Sequence, residues 1–208
     1  MIKIVIVNYF MLIGVDEAGR GPLFGRVYTA AVILHDDFDT SLLKDSKKFT
    51  SEKKIKAVYD YIKENALYYH ISYKDEHYID TYNIINATMK SMKESIYGVL
   101  DQCITEDNVK IYVDGNKFKP CFYKDKWIPF ECIVKGDSIH KCISAASILA
   151  KVERDEYIRT LCKEKPILNE RYGLLSNKGY GTKKHIEGIK QYGYSEYHRK
   201  SFKLKTLT

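Results

Sequence analysis

The apolar run Met11-Leu12-Ile13-Gly14-Val15 stops at two adjacent acids, Asp16 and Glu17, and then enters Ala18-Gly19-Arg20-Gly21-Pro22. An apolar stretch that ends in acids and glycines reads as a buried strand carrying charge to its mouth. Neighbouring carboxylates repel, so both stay ionised only where a cation or strong donors neutralise them. Taken alone, such a pair is more often a solvated turn. Here the pattern repeats: Val109-Lys110-Ile111-Tyr112-Val113 ends at Asp114-Gly115-Asn116, and Glu131-Cys132-Ile133-Val134 ends at Lys135-Gly136-Asp137. Neighbouring strand ends on one sheet edge lie side by side. Asp16, Glu17, Asp114 and Asp137 are therefore expected to converge, and four carboxylates in one cleft require metal. Two divalent ions, Mg²⁺ or Mn²⁺, meet that demand. Strict alternation would send Glu17 to the face opposite Asp16, so a break or bulge is expected at Ala18-Gly19.

The intervening segments make the sheet mixed. Residues 27–34 are β-branched enough for a second strand antiparallel to the first. Thr50 or Ser51 can cap a helix in which Ile55, Val58, Tyr59 and Ile62 recur at helical spacing, and residues 67–73 read as a strand. A helix with Met89, Met92, Ile96 and Val99 on one side follows, and that stripe reads as core. One long helix is expected over residues 139–164, its Ser144-Ala145-Ala146-Ser147 section small enough for close packing on the sheet. Strands alternating with helices predict an α/β (α+β) domain with a mixed sheet. At 208 residues with no linker signal, a single domain over 1–208 is expected.

Composition narrows the function. No segment reaches the length of a membrane span, and Asn8 and Tyr9 interrupt the apolar start without a small-residue cleavage site. The first ten residues are therefore expected to be an added strand or a leader. Five cysteines without a Cys-x-x-Cys pair point to a reducing, cytoplasmic compartment, and six scattered histidines leave oxygen ligation for any metal. The net charge is +7, and residues 163–208 hold 11 basic against 4 acidic side chains. That segment also carries Tyr172, Tyr180, Tyr192, Tyr194, Tyr197 and Phe202, a mixture suited to phosphate contact and stacking. A solubilising surface would have the same charge.

Seven ordered motifs carry a resemblance. Asp16-Glu17-Ala18-Gly19-Arg20-Gly21-Pro22, Asp45-Ser46-Lys47-Lys48, Val113-Asp114-Gly115-Asn116, Val134-Lys135-Gly136-Asp137, residues 144–152, Lys178-Gly179-Tyr180-Gly181-Thr182 and His198-Arg199-Lys200-Ser201-Phe202 resemble the signatures of type-2 ribonuclease H, or ribonuclease HII. The resemblance spans residues 12 to 203. It implies a ribonuclease H-like fold in which residues 163–208 form a basic, helical substrate-binding extension. It also implies a monomeric endonuclease that cuts the RNA strand of RNA-DNA hybrids and cuts 5′ of ribonucleotides embedded in duplex DNA. Products would carry 3′-hydroxyl and 5′-phosphate ends.

By motif position, Asp16, Glu17, Asp114 and Asp137 correspond to metal-binding catalytic carboxylates. Gly19, Arg20 and Gly21 fall on a loop that reads the ribose 2′-hydroxyl, and Tyr180 on a tyrosine that packs against the adjacent deoxyribose. Lys47, Lys48, Lys183 and Lys184 are expected phosphate contacts. Asp155 is assigned to the helix surface or a structural pair, His185 to a structural role, and His198 and Arg199 to packing, tail docking or substrate contact. Arg26 departs from the family pattern, which has proline there, and is expected to add charge near the site. Two other readings remain open at this point: a protein that binds hybrids without cutting them, and a nuclease of the same fold acting on DNA junctions.

Overall fold

A computed structural model describes residues 11–43, 49, 51–103 and 108–203. The motif at 45–48, and with it Lys47 and Lys48, lies outside the described residues, as does Thr50. The first strand, β1 (Met11–Ala18), is the middle of a five-stranded sheet. On one side it pairs antiparallel with β2 (Val27–Ile33), which pairs antiparallel with β3 (Tyr68–Lys74). On the other side it runs parallel to β4 (Val109–Asp114). A short hairpin, β5 (Cys121–Tyr123) and β6 (Lys126–Ile128), precedes the edge strand β7 (Phe130–Ile133), which is parallel to β4. Val15 stands opposite Val113, so the next step up each strand sets Asp16 beside Asp114.

Helix α1 (Glu52–Asn65) starts where Ser51 Oγ accepts the Lys54 N–H, and it buries Ile55, Val58, Tyr59 and Ile62 as their spacing predicts. Helix α2 (Glu76–Leu100) is interrupted at Asn83, with φ 65°, and Asn83 Oδ1 accepts the Asn86 N–H to recap the continuing helix. Met92, Ile96 and Val99 of α2 pack with Ile13, Val15, Ile111 and Val113 against one sheet face. Met89 is only half-buried and lines a cavity beside the strand ends, so the expected core stripe is one residue shorter at that end.

The other face carries α1 and α4 (Lys141–Glu164), with Ala145, Ala146, Ile148 and Leu149 against Ala30 and Val32. The helix expected from about 139 to 164 is observed as α4, which begins two residues later, at Lys141. His140 has φ −112° and ψ 125°, which separates α4 from a single turn, α3 (Gly136–Ile139). The left-handed Lys135 leads into α3, and the His140 ring packs on Tyr112 at 4.6 Å.

Close packing here depends on Gly14. A Cβ on that residue would sit 2.1 Å from the Cys142 carbonyl carbon, so the start of α4 rests directly on the β1 backbone. Gly14→Ala is expected to cost about 3 kcal/mol or more, because rigid backbone must move; equilibrium urea unfolding measures it.

Beyond α4, three short helices, α5 (Pro166–Tyr172), α6 (Leu174–Asn177) and α7 (Lys183–Tyr192), bury Leu168, Tyr172, Leu174 and Ile189 with Phe24, Ile158 and Leu161. Phe24 also pairs with His198 through a backbone bridge. The segment at His198 thereby meets the glycine turn after β1.

Candidate active site

A cleft of about 500 Å³ opens at the ends of the parallel strands and is lined by Asp16, Glu17, Asp114 and Asp137. Asp16 and Asp114 come from adjacent strands, and Asp137 comes from α3 rather than from a strand end. β1 keeps its register with β2 through Glu17↔Thr29 and Ala18↔Tyr28 and ends just before Gly19, with φ +93°, so no bulge redirects Glu17. Glu17 instead reaches the shared cleft from the α2 side. It lines both the main cleft and a smaller adjoining cavity of about 200 Å³ that holds Thr88, Met89 and Asn116. This is possible because β4 ends at Asp114, which leaves the flank of β1 open beyond that point.

The electrostatics follow from crowding. Asp16 is 5% exposed. Its pKa is raised well above the ordinary carboxylate value, chiefly by burial and then by the charges of Glu17 and Asp114. The Glu17 N–H, 2.7 Å from Asp16 Oδ1, and Ser147 oppose that shift in part. Glu17 pairs with Arg20 at 3.0 Å, and Asp114 Oδ1 accepts the Gly136 N–H at 2.7 Å. Among the described residues, no three His, Cys, Asp or Glu side chains already form a tight ligand cluster. The acids share a cleft while holding protein partners. An all-oxygen donor set around a buried, repelled carboxylate nevertheless suits a hard divalent cation, and such a charge would relieve the strain on Asp16.

The other wall is the turn after β1. Gly19 has φ +93°, and a Cβ there would lie 2.2 Å from Arg154 Nε. Arg154, on α4, is buried, donates from Nη2 to the Lys178 carbonyl at 2.7 Å, and lines the cleft. Gly21 faces Tyr180, which is 50% exposed and also lines the cleft.

Asp155 pairs with Lys151 at 2.9 Å, the structural pairing expected of it, although both line the cleft. Lys151, Arg154 and Lys178 were not singled out from the sequence. The signal available was that Lys151 and Lys178 lie inside motifs already noticed and Arg154 two residues beyond one.

Lys183 and Lys184 are not among the cleft-lining residues. Lys183 is exposed at the start of α7, and the Lys184 stem packs over Gly173. The charge of Arg26 is also turned away from the cleft: its guanidinium lies 4.1 Å from the Tyr73 ring and 4.4 Å from the Tyr157 ring.

His185 and His198 are fully buried and structural. The Ser195 N–H donates to His198 Nδ1 at 2.9 Å, which makes Nδ1 an acceptor and leaves the His198 proton on Nε2. That proton points to His185 Nε2 at 3.0 Å, and His185 Nδ1 donates to the Tyr180 carbonyl at 2.9 Å. Both rings are neutral in this chain of bonds, and burial lowers both pKa values, that of His198 to about 3. A depressed folded-state pKa means that stability is fully present above the unfolded value near 6.5 and is lost as pH falls below it. His198 alone is expected to remove about 2 kcal/mol between pH 6.5 and 5. NMR should show that the His198 ring does not titrate over that interval.

Comparison with known proteins agrees with this geometry. A family model described as Ribonuclease HII matches residues 13–205. A Ribonuclease HII of Neisseria gonorrhoeae is 44% identical over 194 residues, covering 93% of each chain. One of Cupriavidus pinatubonensis is 45% identical over 193 residues, covering 92% of this chain and 83% of the relative. Among solved structures, ribonuclease H2 from Pyrococcus horikoshii OT3 superposes with a TM-score of 0.70 at 23% identity, covering 93% of this chain and 94% of the other. The RNase HII in a PCNA complex from Archaeoglobus fulgidus superposes with a TM-score of 0.71 at 20% identity, covering 94% and 96%. These two carry the fold.

Proposed function

Since this chain belongs to the ribonuclease HII family, whose members are metal-dependent endonucleases acting on RNA-DNA hybrids, we propose that it also cuts 5′ of single ribonucleotides embedded in duplex DNA. The observation that carries this is the meeting of four acids with the Gly19-Arg20-Gly21 turn and Tyr180 in one cleft. Asp16, Glu17, Asp114 and Asp137 would hold two divalent ions, Mg²⁺ or Mn²⁺. Such ions supply charge neutralisation at the phosphoryl group and an activated water.

The remaining work falls to the protein. The backbone at Gly19 and Gly21 can approach a sugar closely and hydrogen-bond its 2′-hydroxyl, the group that separates RNA from DNA. Tyr180 offers a half-exposed ring at the rim for the neighbouring sugar. Arg20, half-exposed and paired with Glu17, can exchange that partner for a phosphate. Products would carry 3′-hydroxyl and 5′-phosphate ends.

Residues 163–208 act in this reading as a substrate-binding extension of one catalytic unit that works as a monomer in the cytoplasm. Lys183 and Lys184, outside the cleft, would meet phosphates of the flanking duplex. Among the described residues no helix is long and apolar enough to cross a membrane.

The deciding experiment maps cleavage, in Mg²⁺ and in Mn²⁺, on a DNA duplex with one ribonucleotide, beside an all-DNA duplex and a four-way junction. A single cut 5′ of the ribonucleotide is expected. Cutting of the junction alone, or binding without cutting, would replace this reading with one of its competitors.

A further inference from the structure

Arg199 is 0% exposed and lies about 180 residues along the chain from the turn that follows β1. Its guanidinium is nevertheless spent entirely on that turn. Nη2 donates to the Gly19 carbonyl at 2.7 Å, Nη1 to the Pro22 carbonyl at 2.8 Å and the Arg20 carbonyl at 3.2 Å, and Nε to the Gly25 carbonyl at 2.7 Å. One planar fork therefore fixes four carbonyls of a seven-residue loop, Gly19 to Gly25. A carbonyl that is held also orients the N–H of the peptide it belongs to, because the peptide is planar. The Gly19–Arg20 and Arg20–Gly21 peptides are among those held.

The segment around Arg199 is itself tied down. Asp80 of α2 accepts the Lys200 N–H and the Ser201 N–H, each at 2.9 Å, and the Ser201 hydroxyl at 2.6 Å. His198 is bonded to Ser195 and His185 on the other side. From below, Gly19 rests on Arg154. The turn thus touches two buried arginines, and Arg199 belongs to a strap of residues 198–202 anchored on α2 and α7.

We infer that Arg199 is a positioning residue for ribose recognition: it presets the Gly19-Arg20-Gly21 peptides so that their polar groups face the cleft before substrate arrives. The inference rests on the reading of that turn as the ribose-sensing element. It adds that selectivity for the 2′-hydroxyl is stored in the C-terminal strap. A merely structural Arg199 would hold the fold together without affecting selectivity.

Arg199→Lys keeps the charge but loses the planar fork, so a lysine cannot serve four carbonyls at once. Asp80→Ala loosens the strap and leaves Arg199 intact. For both variants and the unmodified protein, dissociation constants are measured with chelator present for a duplex containing one ribonucleotide and for the same duplex in all-DNA form. The kcat and KM are then measured with metal, on samples shown to be folded by circular dichroism. The unmodified protein should prefer the ribonucleotide duplex. In Arg199→Lys that preference should fall toward one and kcat should drop at least about tenfold, with a smaller change of the same sign in Asp80→Ala.

Folded Arg199→Lys that keeps both the preference and kcat within about twofold overturns the inference. If Arg199→Lys does not fold, Asp80→Ala decides on the same two readouts. An unmodified protein with no preference removes the reading of the loop itself, and this inference with it.

Discussion

Asp16→Asn is expected to lose at least about 100-fold in cutting while making the metal-free protein more stable. The two effects have one cause. Asp16 is buried, and its charge is disfavoured by burial and by Glu17 and Asp114. Asparagine keeps an oxygen to accept the Glu17 N–H and removes the charge, so repulsion and desolvation both fall. Melting in chelator should shift up by at least about 2 °C. The sign with pH is fixed as well. A raised folded-state pKa means that the folded protein holds this proton more tightly than the unfolded chain does. Metal-free stability therefore falls as pH rises from the usual carboxylate range through the raised value, and Asp16→Asn lacks that component. Asp114→Asn should also abolish cutting while hybrid binding persists. A variant of either kind that cuts normally in Mg²⁺ would remove the acids from the chemistry.

Gly19→Ala is expected to lose at least about 100-fold in cutting with only a few degrees of lost melting temperature. The φ of +93° is strained for any L side chain, and the new methyl would lie 2.2 Å from Arg154 Nε and 3.0 Å from the Arg26 carbonyl oxygen. Neither neighbour yields readily. Arg154 is bonded to the Lys178 carbonyl, and the Arg26 carbonyl is backbone. The turn must move instead, and displacement of a recognition element by an ångström or less is costly to an aligned reaction. Steady-state cleavage beside a melting curve separates the loss of alignment from the loss of fold. A folded Gly19→Ala enzyme with normal selectivity would show that the turn does not read the sugar.

The sheet was readable because its strands announce themselves: β-branched runs ending in Asp-Gly and Glu-x-Gly patterns, with Ile55 to Ile62 repeating at helical spacing. Convergence of Asp16 and Asp114 followed from strand adjacency alone. The route of Glu17 did not, since a strand-end side chain can round an open sheet flank without any bulge. The helical turn that carries Asp137 was not legible either: residues 131–137 read as a strand and its end, but β7 stops at Ile133 and the left-handed Lys135 leads into α3. Which lysines line the cleft was not legible for a similar reason. Charge is visible in sequence, but which lysine faces the cleft depends on how α6 and α7 dock, and Lys178 lies there while Lys183 does not.

Local sequence thus determined which segments extend, which coil and where negative charge is concentrated, because propensity and periodicity act over a few neighbouring residues. Tertiary structure alone decided that Arg199 grips the turn at Gly19, that two histidines share one proton path to the Tyr180 carbonyl, and that Glu17 looks into two cavities. The bonds from Arg199 to the turn and between the two histidines join residues 180 and 13 positions apart, and the route of Glu17 depends on where a neighbouring strand happens to stop. No short-range pattern encodes them, since their energy exists only once the chain has closed on itself.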